Sequence, residues 1–202
     1  MYLMNTRPDI YFSMNTLSRF LVEPIHVHLV AAKHVMRYLK GTLDCGLSYD
    51  GDHDFTLSGY TNSDWAGSVS NRKSTSRCCF SLGSTMISWQ SRKQSSIALS
   101  TAEAEYIVAC FASCEAIWLR NLLTGLFDLE MEATTILCDN QSCIKMTENH
   151  VFHDKSKHIE IRYHYIRDMV QRGAIKLQYV STDKQVVDVL TKPLSHAKFE
   201  HF

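Results

Sequence analysis

Between Ser100 and about Leu126 the sequence keeps helical spacing for longer than anywhere else in the chain, and its first turn most restricts the possible folds. Ser100 followed three residues later by Glu103 is a capping box, which marks the helix start. At about 100° per residue, Ala102, Tyr106, Ala109, Ser113, Ala116 and Ile117 form one face. Glu105 lies roughly 50° to one side of that face, and Glu103 more than about 100° to the other. Glu103 is therefore expected to close the cap in water. Glu105 points toward the packed side, where a carboxylate needs a partner. Other acids sharing a metal ion with it would be one such partner.

The flanking segments predict what this helix packs on. Three strands are expected at about 55–62, 77–82 and 86–91, the last two joined at Gly83-Ser84. Cys78, Phe80 and Leu82 alternate onto one face, with Ile87 and Trp89 as a matching set. A strand over 134–139 ends in Asp139, and a short helix can begin at Asn140-Gln141. A helix over 157–172, a strand over 175–180 and a final helix from about Asp183, carrying Asp188, complete the pattern. This order predicts an α/β fold with helices on both faces of a five-stranded mixed sheet. Sites in open α/β sheets form beyond the carboxyl ends of strands, where Asp139 and the segment Tyr60–Asp64 can be neighbours. Asp50-Gly51-Asp52 is a turn and the expected boundary, dividing residues 1–50 from a domain over 54–196. The first part reads as mostly helical. Pro24 is expected to open a helix whose stripe of Ile25, Leu29, Ala32, Met36 and Leu39 runs to Gly41.

At 202 residues, 45% hydrophobic and 21% charged, the chain suits one domain or a domain plus a fragment. Net charge is zero, so only charge distribution bears on nucleic acid. No acid occurs between Trp65 and Ala102, against the bases Arg72, Lys73, Arg77, Arg92 and Lys93. Such a run is either a solvated face or a track for phosphates. Seven cysteines without a Cys-x-x-Cys pair disfavour a disulfide scaffold and a zinc knuckle, and favour a reducing compartment. His150, His153, His158 and His164 have no partner cysteine pair, so zinc is not expected. No signal-peptide core is present, and no run is expected to reach membrane-spanning length. The chain is expected to be soluble and intracellular, in the cytoplasm or nucleus, without a membrane partner.

Four segments then stand in a telling order: Tyr60-Thr61-Asn62-Ser63-Asp64-Trp65-Ala66-Gly67, Ser100–Tyr106, Cys138-Asp139-Asn140-Gln141-Ser142 and Val187-Asp188-Val189-Leu190-Thr191-Lys192-Pro193-Leu194. Together they resemble the ribonuclease H domain of copia-type retrotransposon Pol polyproteins. Lys157-His158-Ile159-Glu160-Ile161-Arg162-Tyr163-His164 is similar too. Thr6-Arg7-Pro8-Asp9-Ile10, Leu17-Ser18-Arg19-Phe20 and Arg37-Tyr38-Leu39-Lys40-Gly41-Thr42 resemble the end of the preceding reverse transcriptase, its thumb or connection region. The resemblance implies a ribonuclease H-like fold behind a small helical remnant. It also implies cleavage of the RNA strand of an RNA–DNA hybrid by two divalent ions, magnesium in the family with manganese as a substitute. The ions sit roughly 4 Å apart, one activating water and the other steadying the leaving oxygen, and magnesium's preference for hard oxygen explains the carboxylates.

Carried over residue by residue, the metal ligands are Glu105, Asp139 and Asp188. The family's Asp-x-Asp-Trp-Ala-Gly has Asn62 at its first Asp, so one of four carboxylates is replaced by a neutral amide. Asp64 would face the same way but about 6–7 Å further along the strand, a substitute only if the backbone bends. The resemblance thus implies a metal site of reduced affinity and a weakened or inactive nuclease. Arg72, Lys73, Arg92, Lys93, Lys157, His158 and Arg162 are candidates for gripping the hybrid. Trp65 is expected to pack rather than stack, and Cys110 and Cys114 to sit in the core. Beginning inside the reverse transcriptase without its palm acids, the chain is expected to come from a truncated, immobile element copy. A non-catalytic binding module and a functionless relic remain the alternatives.

Overall fold

A computed structural model describes residues 2–49, 55–68, 71–148 and 164–190. It divides into two units, Met1–Gly51 together with the stretch from Asp188, and Asp52–Val187.

In the first unit, α1 spans Tyr11–Ser18 and α2 spans His26–Gly41. The second of these starts two residues after the expected Pro24. Ile25 is still extended, with φ −107° and ψ 167°, and its N–H donates to His28 Nδ1 at 3.2 Å. The His28 ring also stacks on Phe20 at 4.0 Å, so side chains rather than the proline set the start. Arg7 gives the Thr6–Ile10 motif a structural purpose. Its guanidinium grips both Asp9 carboxylate oxygens, at 3.0 and 2.7 Å, and donates to the Thr42 carbonyl and hydroxyl. That fork ties the first turn to the end of α2. The apolar stripe of α2 keeps its spacing, yet no residue of this helix is buried.

The second unit holds the five-stranded mixed sheet. Its strands are β1 Leu57–Ser63, β2 Thr75–Leu82, β3 Thr85–Lys93, β4 Thr134–Cys138 and β5 Ile175–Tyr179, in the order β3-β2-β1-β4-β5. The first three form an antiparallel meander, whereas β1 pairs with β4, and β4 with β5, in parallel. Gly83, at φ +58°, makes the tight β2–β3 turn. β2 begins two residues earlier and β3 ends two residues later than expected, which lengthens the ladder toward Thr75 and Lys93.

Helices α3 (Thr101–Phe127), α4 (Gln141–Glu148) and α5 (Tyr165–Gln171) pack on one another. They cover the sheet face that presents Leu57, Phe80 and Ile136. Ala104, Ala112 and Ala116 let α3 lie close to the strands, while Tyr106, Ile107 and Val108 fill the space beside it. Arg120 holds the far end of the helix layer, donating to the Ala174 carbonyl at 2.7 Å and the Met131 carbonyl at 2.8 Å.

Several expectations need correction. Glu103 does not close its cap in water: it is 6% exposed and accepts from the Leu99 N–H at 2.7 Å. Ser100 does accept from the Glu103 N–H, at 3.1 Å. Contrary to expectation, α3 is long and apolar enough to cross a membrane by length and composition, but half of that window is buried in the protein. Cys110 is in the core as expected, whereas Cys114 is exposed. The final α-helix is instead two 3-10 turns, Thr182–Lys184 and Val186–Leu190. Gln185 between them is extended and donates its amide to the Thr61 carbonyl at 2.9 Å, a tertiary bond that breaks the helical path. Of the expected 157–172 helix, residues 157–163 lie outside the described residues.

Candidate metal-binding site

The site forms where β1 and β4 end side by side. Thr61 is in register with Cys138, so Asn62 and Asp139, one residue further on, emerge together at the carboxyl ends of parallel neighbours. Asn62 Nδ2 donates to Asp139 Oδ2 at 3.1 Å. The first turns of α3 bring Glu105 beneath them, and its Oε1 accepts from the Ser63 N–H at 2.6 Å. Glu105, Cys138 and Asp139 bring ligand atoms within 4.8 Å of one another. Gln94, buried at the end of β3, braces this corner by donating to Ser76 Oγ at 2.9 Å and to the Ala104 carbonyl at 3.0 Å.

Glu105 is 3% exposed, and burial pushes its carboxyl up to about 9. Cys138 and Asp139 add to the push, while the Ser63 N–H opposes it. An acid held this way keeps its proton at neutral pH unless a cation takes the proton's place.

Asp64 is engaged elsewhere. Its Oδ1 accepts from the Thr75 N–H at 2.5 Å, and its Oδ2 pairs with Arg77 Nη2 at 3.2 Å. Gly67 lies so close that a Cβ there would come within 2.6 Å of Oδ2. Asp64 thus fastens the turn after β1 to β2. Asp188 stands on the turn Val186–Leu190 and opens the stretch grouped with the first unit.

Two residues of this network were not singled out from the sequence. Cys138 shares the acid cluster, and its even position in the strand, on the same face as Ile136, was the available sign. Arg77 sits directly across from Asn62 in the β1–β2 register and donates from Nη1 to Asn62 Oδ1 at 3.1 Å. Its signal was the β1–β2 register, a pairing between strands that local periodicity does not set. Thr182 also reaches Asp139 Oδ2, at 3.4 Å.

The basic candidates divide. Lys73 donates to the Ser95 carbonyl at 2.5 Å and Lys93 to Ser68 Oγ at 2.6 Å, so both staple the loops at this end of the sheet. Arg72 and Arg92 are exposed. Lys157, His158 and Arg162 lie outside the described residues, as do His150 and His153. His164 Nδ1 is hydrogen-bonded to the Tyr106 hydroxyl at 3.0 Å. Trp65 is only half packed, 52% exposed, with Nε1 donating to the Ala98 carbonyl at 3.1 Å.

The chain is 43% identical over 195 residues to the retrovirus-related Pol polyprotein from transposon TNT 1-94 of Nicotiana tabacum, a match over 96% of this chain. It is 41% identical over 201 residues to the corresponding polyprotein from transposon RE1 of Arabidopsis thaliana, a match over 100% of this chain. In both cases the chain spans 14% of the relative's length. No protein-family model matches it. Among solved structures, it superposes on LC11-RNase H1, isolated from compost, with a TM-score of 0.50 at 14% identity, covering 67% of this chain and 92% of that one. That likeness shows a ribonuclease H fold.

Proposed function

Because the chain belongs to the Pol polyproteins of copia-type retrotransposons and carries a ribonuclease H fold, we propose that residues 54–196 act as a ribonuclease H domain with strongly reduced nuclease activity. In this reading residues 1–50 are the end of the polyprotein's reverse transcriptase. The substrate would be an RNA–DNA hybrid, held in part by the exposed Arg72 and Arg92.

The donor set decides how much chemistry survives. Glu105 and Asp139 offer converging carboxylate oxygens, which suit one magnesium or manganese ion. They do not suit a pair. At the corner where a third carboxylate is required, Asn62 turns N–H bonds toward Asp139 and its only oxygen toward Arg77. A bound ion pair would supply an activated water and stabilise the leaving oxygen. Here the residues themselves bind the substrate and hold one ion weakly. The inward-turned Asn62 amide is the observation that carries this reading. A second reading, a hybrid-binding module without cleavage, is favoured by the same amide.

The test is cleavage of a labelled RNA–DNA hybrid in manganese, comparing the chain with Asn62→Asp. Both proteins are expected to bind hybrid equally, and the variant to cut at least about 10-fold faster, a barrier change of about 1.4 kcal/mol. Equal cutting by both would sink the assignment of Asn62 as the lesion. No cutting by either, with hybrid binding intact, would select the binding-module reading.

A further inference from the structure

We infer that Arg77 is a built-in counter-ion for the acid cluster, supplying at the Asn62 corner the positive charge that a metal ion would otherwise bring. This deepens the reading above and rests on it. Four side chains form a continuous line. Asp64 pairs with one guanidinium nitrogen of Arg77 at 3.2 Å, the other reaches Asn62 Oδ1 at 3.1 Å, and Asn62 Nδ2 reaches Asp139 Oδ2 at 3.1 Å. The amide at position 62 accepts from Arg77 and donates to Asp139 at once, which an ionised carboxylate in its place could not do. A carboxylate there would satisfy Arg77 but face Asp139 with no proton between them.

The geometry does not depend on a mobile surface side chain. Arg77 lies on β2, in register opposite Asn62, and its side chain is 11% exposed. Solvent therefore screens its charge poorly. A divalent ion approaching the Asn62 corner meets a resident cation there as well as a missing carboxylate. Asn62 and Arg77 thus act as one unit. The substitution Asn62→Asp alone restores a carboxylate that the guanidinium already claims, so the ion recovers only part of its site.

Manganese binding by the full chain, measured calorimetrically in the absence of nucleic acid, tests this without relying on cleavage. The proteins compared are Asn62→Asp alone and the same variant combined with Arg77→Gln, Arg77→Met or Arg77→Lys. Removing the charge with Gln or Met is expected to tighten binding at least about 10-fold over Asn62→Asp alone, the scale of effects from residues that support metal ligands. The Lys combination, which keeps the charge, is expected to stay within about threefold of Asn62→Asp. Either neutral variant suffices if the other fails to fold. Equal affinity in Asn62→Asp and the neutral combinations would overturn the inference, as would a Lys combination that binds as tightly as Gln. If the neutral combinations bind manganese tightly and still do not cut hybrid, the nuclease reading fails while the role of Arg77 stands.

Discussion

With divalent ions chelated, Glu105→Gln is expected to stabilise the protein by about 2–3 kcal/mol near pH 8, and to do so less as the pH falls. Glu105 is buried, and its carboxyl is pushed up to about 9 from an ordinary 4.5. In the unfolded chain it ionises near that ordinary value. Between the two values folding must return a proton to the carboxyl, because the folded state holds it and the unfolded state does not. The contribution of this group is therefore fully present below about 4.5 and is lost as pH rises toward 9, at up to about 1.4 kcal/mol per pH unit. Water entry and local relaxation reduce the full figure, which is why about half of it is expected. Glutamine keeps the carbonyl that accepts from the Ser63 N–H and never ionises. Urea titrations with chelator at about pH 5, 7 and 8 would show the gap between variant and parent widening with pH. Parallel curves would mean that Glu105 is ionised in the folded state, paired by something other than a proton. The same substitution removes one carboxylate of the Glu105–Asp139 cluster, so on the proposed reading stability and metal binding would oppose each other at this position.

The burial of Glu105 was readable in the sequence. Glu105 falls within roughly 50° of the apolar face of α3 by helical spacing alone, and the strand alternation that ends in Asp139 places a second acid at the carboxyl end of β4. Both follow from local periodicity, which the chain obeys in α3 and β4. In the β2–β3 hairpin a register shift at Phe80/Ser81 breaks the alternation, and Trp89 lies across from Cys79 rather than on the Cys78 and Phe80 face. What periodicity could not show depends on contacts between segments distant in sequence. Arg77 looked like one base in a solvated run because its meaning lies in a cross-strand register. Asp64 looked like a substitute ligand because strand spacing says nothing of the Thr75 N–H or of Gly67 closing over it. Gln185 ended a helical pattern through a bond to Thr61, 124 residues earlier. Glu103 was expected in water because helical angle measures direction and not depth, and Leu99 folds back over that turn.

Gly59→Ala is expected to cost about 2–3 kcal/mol, although alanine suits a strand at least as well as glycine does. Gly59 and Phe80 are cross-strand partners on the face covered by the helix layer. A Cβ at position 59 would stand 2.5 Å from Phe80 Cε1, 3.0 Å from Cδ1 and 3.2 Å from Cζ. The ring cannot swing aside, because Phe80 is fully buried among the residues packed on Val108, Ala112 and Ile136. Phe80→Ala should cost more, about 3–5 kcal/mol, through loss of buried area and the cavity left behind. The two positions must then be strongly non-additive, since they occupy one volume. Combined with Phe80→Leu, Gly59→Ala should lose at least half of its cost, as the smaller side chain vacates the space the methyl needs. Chemical denaturation of the four proteins in this double-mutant cycle measures the coupling directly. Additive costs would show that the methyl is accommodated by movement of β1 rather than resisted by Phe80. The site would then move as well, because Asn62 lies three residues along the same strand and its hold on Asp139 depends on the β1–β4 register.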